Sequence, residues 1–108
     1  MEKIYELQAD ICKALSNPKR LEIINKLKEG EMSAAELIEK TGLSKSNLSQ
    51  YTGVLKAKGV ILSRREGVNV YYRIANMKVI EACALMREFL LSEIKEKSRM
   101  ASNLKKIG

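Results

Sequence analysis

Histidine and tryptophan are absent from the 108 residues, and there are one proline, one phenylalanine and two cysteines. Without histidine, triads that rely on an imidazole base and His-ligated metal sites are excluded. A cysteine nucleophile would have no imidazole to activate it, so no enzyme is expected. Long apolar runs are lacking too: the richest stretch, Val79 to Leu91, is broken by Glu81, Arg87 and Glu88, whereas a membrane span needs about 20 apolar residues. The opening MEKIYELQAD has acids where a secretory signal would be apolar. A cytoplasmic chain with reduced thiols is expected, not a disulfide framework.

What the sequence has is charge, unevenly placed. Lysine and arginine number 20 against 13 acids, for a net charge of +7. Residues 1–30 carry +1, residues 31–42 carry −2, residues 43–75 carry +5 and residues 76–108 carry +3. A basic middle third is the electrostatic footprint of a surface that meets phosphate, although a solubilising face has the same charge.

Apolar spacing and punctuation set out the elements. Ile4, Leu7, Ile11 and Leu15 make one face of a first helix. Asn17 and Pro18 are an N-cap and first-turn proline for a second, through Leu21, Ile24 and Leu27 to Gly30. Ser33-Ala-Ala-Glu36 is a capping box for a short third helix, which Thr41-Gly42 stops. Ser44 caps a fourth, expected to bury Leu48, Tyr51, Val54 and Leu55 and to end at Gly59. Its opposite face offers Lys45, Ser46, Asn47, Ser49, Gln50 and Thr52. The period then changes to two. Val60-Ile61-Leu62 and the alternating Val68, Val70, Tyr72 and Ile74 flank Glu66-Gly67 and predict a hairpin. Asn76 can cap a long last helix that is apolar nearly all round from Val79 to Leu91, so it needs cover on more than one side.

This order predicts a mostly α chain with a β-hairpin wing (α+β), a winged helix–turn–helix. Residues 1–98 are expected to form one DNA-binding and dimerisation domain, and residues 99–108 a basic tail that frays or continues the last helix. The helix from Ser44 is expected to enter the major groove, where each base pair shows a distinct donor and acceptor pattern. Gln50 and Asn47 suit adenine, and Lys45 suits guanine or a phosphate. Ser44, Ser46 and Ser49 complete the expected contact face, and Arg64, Arg65 and Asn69 near the hairpin tip are expected to hold the wing to the flanking groove. Gly53 would let the helix backbone approach DNA closely, at a cost of about 1 kcal/mol relative to alanine. A plain helical hairpin with a solvated polar face is the structural alternative.

The segment KALSNPKRLEIINKLKEGEMSAAELIEKTGLSKSNLSQYTGVLKAKGVI, followed by RREGVNVYYRI and a long helix, resembles the ArsR/SmtB family of winged-helix repressors over about residues 11–91. The resemblance implies a homodimer joined through the first and last helices, bound to double-stranded DNA at a palindromic operator and released by a small inducer. It also implies where metals would bind, and there this sequence departs. The family's paired thiolates fall on Ser33 and Ala35, within Glu31 to Leu37, and its last-helix ligands fall on Asn76, Lys78, Phe89 and Ser92. Neither set supplies the ligands zinc needs, so no metal or other cofactor is expected.

The cysteines are Cys12 on the first helix and Cys83 on the last. If those helices form the dimer seam, as the resemblance implies, the thiols could act as a redox, persulfide or soft-metalloid switch. The alternative is two small buried apolar side chains. For the whole chain, the expected function is a sequence-specific repressor without a membrane partner. A winged-helix protein–protein module and an inducer-independent architectural DNA binder are the other readings.

Overall fold

The computed structural model describes residues 2–107. In chain order the elements are α1 (Glu2–Leu15), α2 (Pro18–Lys26) with a following 3-10 turn (Leu27–Glu29), β1 (Met32–Ser33), α3 (Ala34–Thr41), α4 (Lys45–Ala57), β2 (Ile61–Glu66), β3 (Asn69–Ile74) and α5 (Lys78–Ile107). The chain divides after Met77 into a unit holding α1 to β3 and a second unit that is α5 itself. Residues 99–107 are part of α5, and that helix begins two residues beyond Asn76.

Local chemistry fixes the ends of the helices. The Asn17 side chain accepts from the Lys19 and Arg20 amides, and Pro18 fills the first helical position, where a missing N–H costs nothing. Arg20 turns back to donate to the carbonyls of Ala14 and Lys13, and so satisfies the exposed end of α1. In α3 both halves of the capping box are made, Glu36 N to Ser33 Oγ at 3.1 Å and Ser33 N to Glu36 Oε1 at 3.2 Å. Thr41 Oγ1 donates to the Leu37 carbonyl at 2.6 Å and accepts from Leu43 N at 3.3 Å, a buried weld at the helix–turn–helix corner. Gly42 makes the turn at φ 72°, a conformation that a side chain disfavours.

The sheet has three strands, in the order β1-β3-β2, all antiparallel. The hairpin expected from the sequence is therefore joined by a third, two-residue strand. Ser33 pairs with Tyr71 and also caps α3, so one residue ties the sheet to the helix–turn–helix. The hairpin turn is Gly67-Val68, with φ 62° at Gly67 and no positive φ at any other residue type among those described. That is the pattern of a two-residue II′ turn, whose twist matches its strands.

The core of the first unit comprises Ile23, Ile24 and Leu27 from the second helix and its turn, Leu37 from α3, Leu48, Thr52 and Leu55 from α4, and Val60, Ile61, Tyr72 and Ile74 from the sheet region. Burying each large aliphatic side chain contributes about 1.5–3 kcal/mol. Two expectations for α4 are corrected here. Thr52 is 1% exposed and not on the polar face, while Val54 is exposed and Tyr51 only half-buried. The helical period explains it: Thr52 lies one turn after Leu48, on the buried line that continues to Leu55. The Thr52 hydroxyl bonds the Leu48 carbonyl at 2.8 Å and shares a 3.4 Å hydrogen bond with the Tyr72 hydroxyl, so its burial leaves no unsatisfied group.

Replacing Thr52 by valine keeps the shape and removes the hydroxyl. The expected result in a urea titration is a loss of about 1 kcal/mol. Adding Tyr72→Phe should cost less in that background than alone, because both changes break the same bond.

Candidate nucleic-acid interface

Helix α4 starts at Ser44, whose Oγ accepts from Asn47 N at 3.1 Å. With the buried line through Leu48, Thr52 and Leu55 on one side, successive residues turn by about 100° around the axis. That puts Ser46 and Gln50 near the centre of the outward face, Lys45 and Ser49 on one flank and Asn47 on the other. All five are exposed, as is Ser44. Gly53 lies on the same outward face, and a Cβ built there would meet nothing within 4 Å. The structure thus brings the sequence-predicted residues of this helix together on one polar, exposed surface and removes Thr52 from it. Every side chain on it except Lys45 is a short hydroxyl or amide, or a Gln, that can both donate and accept.

The hairpin separates residues that the sequence lists side by side. Side chains alternate between the faces of a strand, and the register pairs Arg64 with Tyr71, Arg65 with Val70 and Glu66 with Asn69. Arg65 therefore shares a face with Tyr72 and Ile74, while Arg64, Glu66, Asn69 and Tyr71 lie on the other. Arg65 and Asn69 are exposed, and Val68 at the tip is 94% exposed.

Arg64 is paired within the chain, with its side chain 50% exposed. Its Nε and Nη2 donate to the two oxygens of Glu31, at 2.9 and 2.7 Å, and Nη1 donates to Glu66 at 2.8 Å. The guanidinium lies 4.4 Å from the centre of the Tyr71 ring, the geometry of a cation–π contact. The Arg64 hydrogen bonds hold the Glu31 carboxyl below its ordinary range, with the nearby charge of Arg73 adding to the effect. The same bonds to Glu31 and Glu66 hold Arg64 above the usual arginine value. Because the Glu31 pKa is depressed by folding, the pair's contribution is complete at neutral pH and is lost as pH falls through that lowered value. Nothing in the sequence pattern marks Glu31, since its partner lies 33 residues away and becomes a neighbour only when β1 joins the sheet.

Among the described residues Lys45, Lys56, Arg65 and Arg73 form no ion pair, whereas Lys58 reaches Asp10 at 3.2 Å. Four of the six cations of the basic middle third therefore lie outside any ion pair, although the charge of Arg73 acts on Glu31. Of the two thiols, Cys12 is exposed and Cys83 is half-buried in α5. Burial pushes the Cys83 thiol up, with Arg87 opposing in part, which lowers its thiolate fraction. Among the described residues no group of three or more Cys, Asp or Glu side chains is placed to hold a metal ion. No helix among them is long and apolar enough to cross a membrane.

Residues 17–62, which hold the second to fourth helices, match the family described as bacterial regulatory protein, arsR family. The chain is 35% identical over 108 residues to the HTH-type transcriptional regulator Rv0081 of Mycobacterium tuberculosis, covering 99% of this chain and 95% of the relative. The crystal structure of Rv0081 matches with a TM-score of 0.77 at 37% identity, covering 87% of this chain and 95% of that one. The biofilm growth-associated repressor of Xylella fastidiosa is 37% identical over 81 residues, 75% of this chain and 71% of the relative. A solution structure from Mycobacterium bovis, described as a homodimeric winged helix-turn-helix DNA-binding domain, matches with a TM-score of 0.79 at 30% identity and covers 88% of each chain. The winged helix–turn–helix expected from the sequence is thus the fold. The chain is a DNA-binding transcriptional regulator, not an enzyme, and belongs to the arsR family of bacterial regulatory proteins.

Proposed function

We propose that the chain acts in the cytoplasm as a homodimeric repressor that sits on a palindromic operator and leaves it when an inducer binds. The observation that carries this reading is the outward face of α4, where Ser46 and Gln50 are central and Lys45, Asn47 and Ser49 flank them, all exposed on a helix whose other side is anchored in the core. On this reading Gln50 and Asn47 read base edges, Lys45 takes a guanine or a phosphate, and Ser44, Ser46 and Ser49 add shorter bonds to bases and backbone. Arg65 and Asn69 serve the wing at the flanking groove.

Dimerisation is supported by apolar surface that the chain itself leaves uncovered. On α1, Ile4, Tyr5 and Leu7 are exposed; on α5, Leu85, Met86, Phe89 and Leu90 are exposed. Surfaces of this kind mark sites of association, and the similar Mycobacterium bovis domain is described as homodimeric. A two-fold dimer presents its two copies of α4 about 34 Å apart, one turn of duplex. Repression is supported by the likeness to the Xylella repressor.

The thiols offer one route for an inducer. Cys12 is exposed and open to an oxidant, a persulfide donor or a soft metalloid, while burial makes Cys83 the poorer nucleophile.

The test of the function is binding to a duplex taken from upstream of the protein's own gene. Wild-type protein should shift it in preference to a scrambled duplex, with affinity falling steeply as salt rises. Gln50→Ala should cost about 1–3 kcal/mol and erode the preference at one base position. Equal binding to both duplexes would point to an architectural binder, and no binding at low salt to a protein–protein module.

A second titration of the bound complex, with oxidant, polysulfide and arsenite, examines the thiols. Release that Cys12→Ser abolishes is the expected outcome for a thiol switch; release that neither Cys12→Ser nor Cys83→Ser alters would remove it.

A further inference from the structure

Arg64 lies on an edge strand and Glu31 just before the opposite edge strand, with the central strand β3 between them. One row of the sheet runs Arg64, Tyr71, Ser33, each paired with the next. The Arg64 side chain stays on this row: it crosses the Tyr71 ring and closes on both oxygens of Glu31, two residues before Ser33. Ser33 is the N-cap of α3, the helix that supports α4 in the helix–turn–helix. Beyond the backbone pairing of Ser33 with Tyr71, one side chain thereby ties the second strand of the sheet to the start of the supporting helix.

The bonding leaves Arg64 poorly suited to the role its sequence position suggests. Nε, Nη1 and Nη2 all donate to carboxylates, and the guanidinium face on the Tyr71 side is covered. Three of its five N–H groups are already bonded to carboxylates, so a DNA phosphate would compete with Glu31 and Glu66 for the same cation. Glu31 and Glu66 also offset the charges of Arg64 and of Arg73, whose field reaches Glu31, so the cluster is close to neutral and draws a phosphate only weakly.

We propose that Glu31 and Arg64 are positioning residues. They form a clamp across the sheet that sets the angle of the wing relative to the helix–turn–helix, and Arg64 itself does not touch DNA. This rests on the wing meeting the duplex, as proposed above. It makes an acidic side chain favour the binding of a polyanion, the reverse of what charge alone predicts.

The sign of one substitution decides. Glu31→Gln raises the net charge by one and frees Arg64, so a phosphate-binding Arg64 predicts tighter binding to the upstream duplex. The clamp predicts binding about fivefold weaker, the scale of a well-formed exposed pair. Arg64→Gln should lose a similar factor, and the double variant no more than either single one. Salt dependence separates position from contact. Arg65→Gln, which removes a phosphate contact, should reduce the slope of log affinity against log salt by about 0.9, and Arg64→Gln should leave it unchanged. In the DNA-free protein, both clamp variants should exchange the backbone amide hydrogens of residues 63–72 faster than wild type, with α2 and α4 unaltered.

Glu31→Gln binding as tightly as wild type or tighter, or a lowered slope in Arg64→Gln, overturns the proposal. If Arg65→Gln lowers the slope while Glu31→Gln does not weaken binding, the clamp alone fails. If neither has an effect, the wing does not meet DNA and both readings fail. Should no duplex bind at all, unchanged amide exchange in Glu31→Gln overturns the clamp, and faster exchange upholds it as a structural tie.

Discussion

The geometry of the recognition surface depends on burial of one stripe of α4. Leu48, Thr52 and Leu55 are between 0% and 2% exposed, and a helix held along such a line has little freedom to roll about its own axis. What faces outward is then settled by the helical period: Ser46 and Gln50, flanked by Lys45, Ser49 and Asn47. Threonine within this stripe adds a directional element that leucine lacks. Its hydroxyl shares a hydrogen bond with Tyr72 at 3.4 Å, so the helix is fixed to the sheet by a bond with a preferred geometry as well as by non-directional packing.

Much of this was legible in the sequence because it was written in local signals. Asn17-Pro18, the Ser33 to Glu36 box, Gly42 after Thr41 and Ser44 before α4 each act within a few residues, and the structure shows each one in use. The hairpin was legible for the same reason, since alternation and a glycine turn are short-range. What escaped the reading was non-local. Strand β1 is two residues long, too short to show a period, and exists only because Tyr71 and Tyr72 offer it partners. The polarity of Thr52 points to the polar face, although its spacing from Leu48 places it on the buried line. The wheel outranked the residue's polarity because the hydroxyl found acceptors inside.

Charge counting misses non-local pairing in a similar way. The excess of +5 across residues 43–75 is real, but it treats every cation as available. Arg64 is held by Glu31, which belongs to the acidic segment before it, and Lys58 is held by Asp10 on α1. Two of the six basic side chains are thereby paired with carboxylates of the protein. The cations outside any ion pair are Lys45 and Lys56 in the first and last turns of α4, and Arg65 and Arg73 on the wing, where Arg73 also acts on Glu31. The field that steers DNA is therefore narrower than the sum suggests, and it is directed by which carboxylates the fold brings near, a property of topology and not of composition.

The adjacent tyrosines of β3 show how closely the two parts of the interface are linked. Because strand side chains alternate, Tyr72 faces α4 and meets Thr52, while Tyr71 faces the other way and lies under Arg64. One tyrosine anchors the recognition helix to the sheet, and its neighbour lies beneath the ion pair that ties the wing to the start of α3. A register shift of one residue would exchange the two faces and undo both attachments together. The register is fixed at one end by the two-residue turn at Gly67-Val68 and at the other by Ile61 against Ile74, both buried. The wing and the recognition helix are for this reason not independent modules. Their relative placement depends on a single strand alignment, so a substitution at the hairpin turn can alter how α4 is presented without touching it.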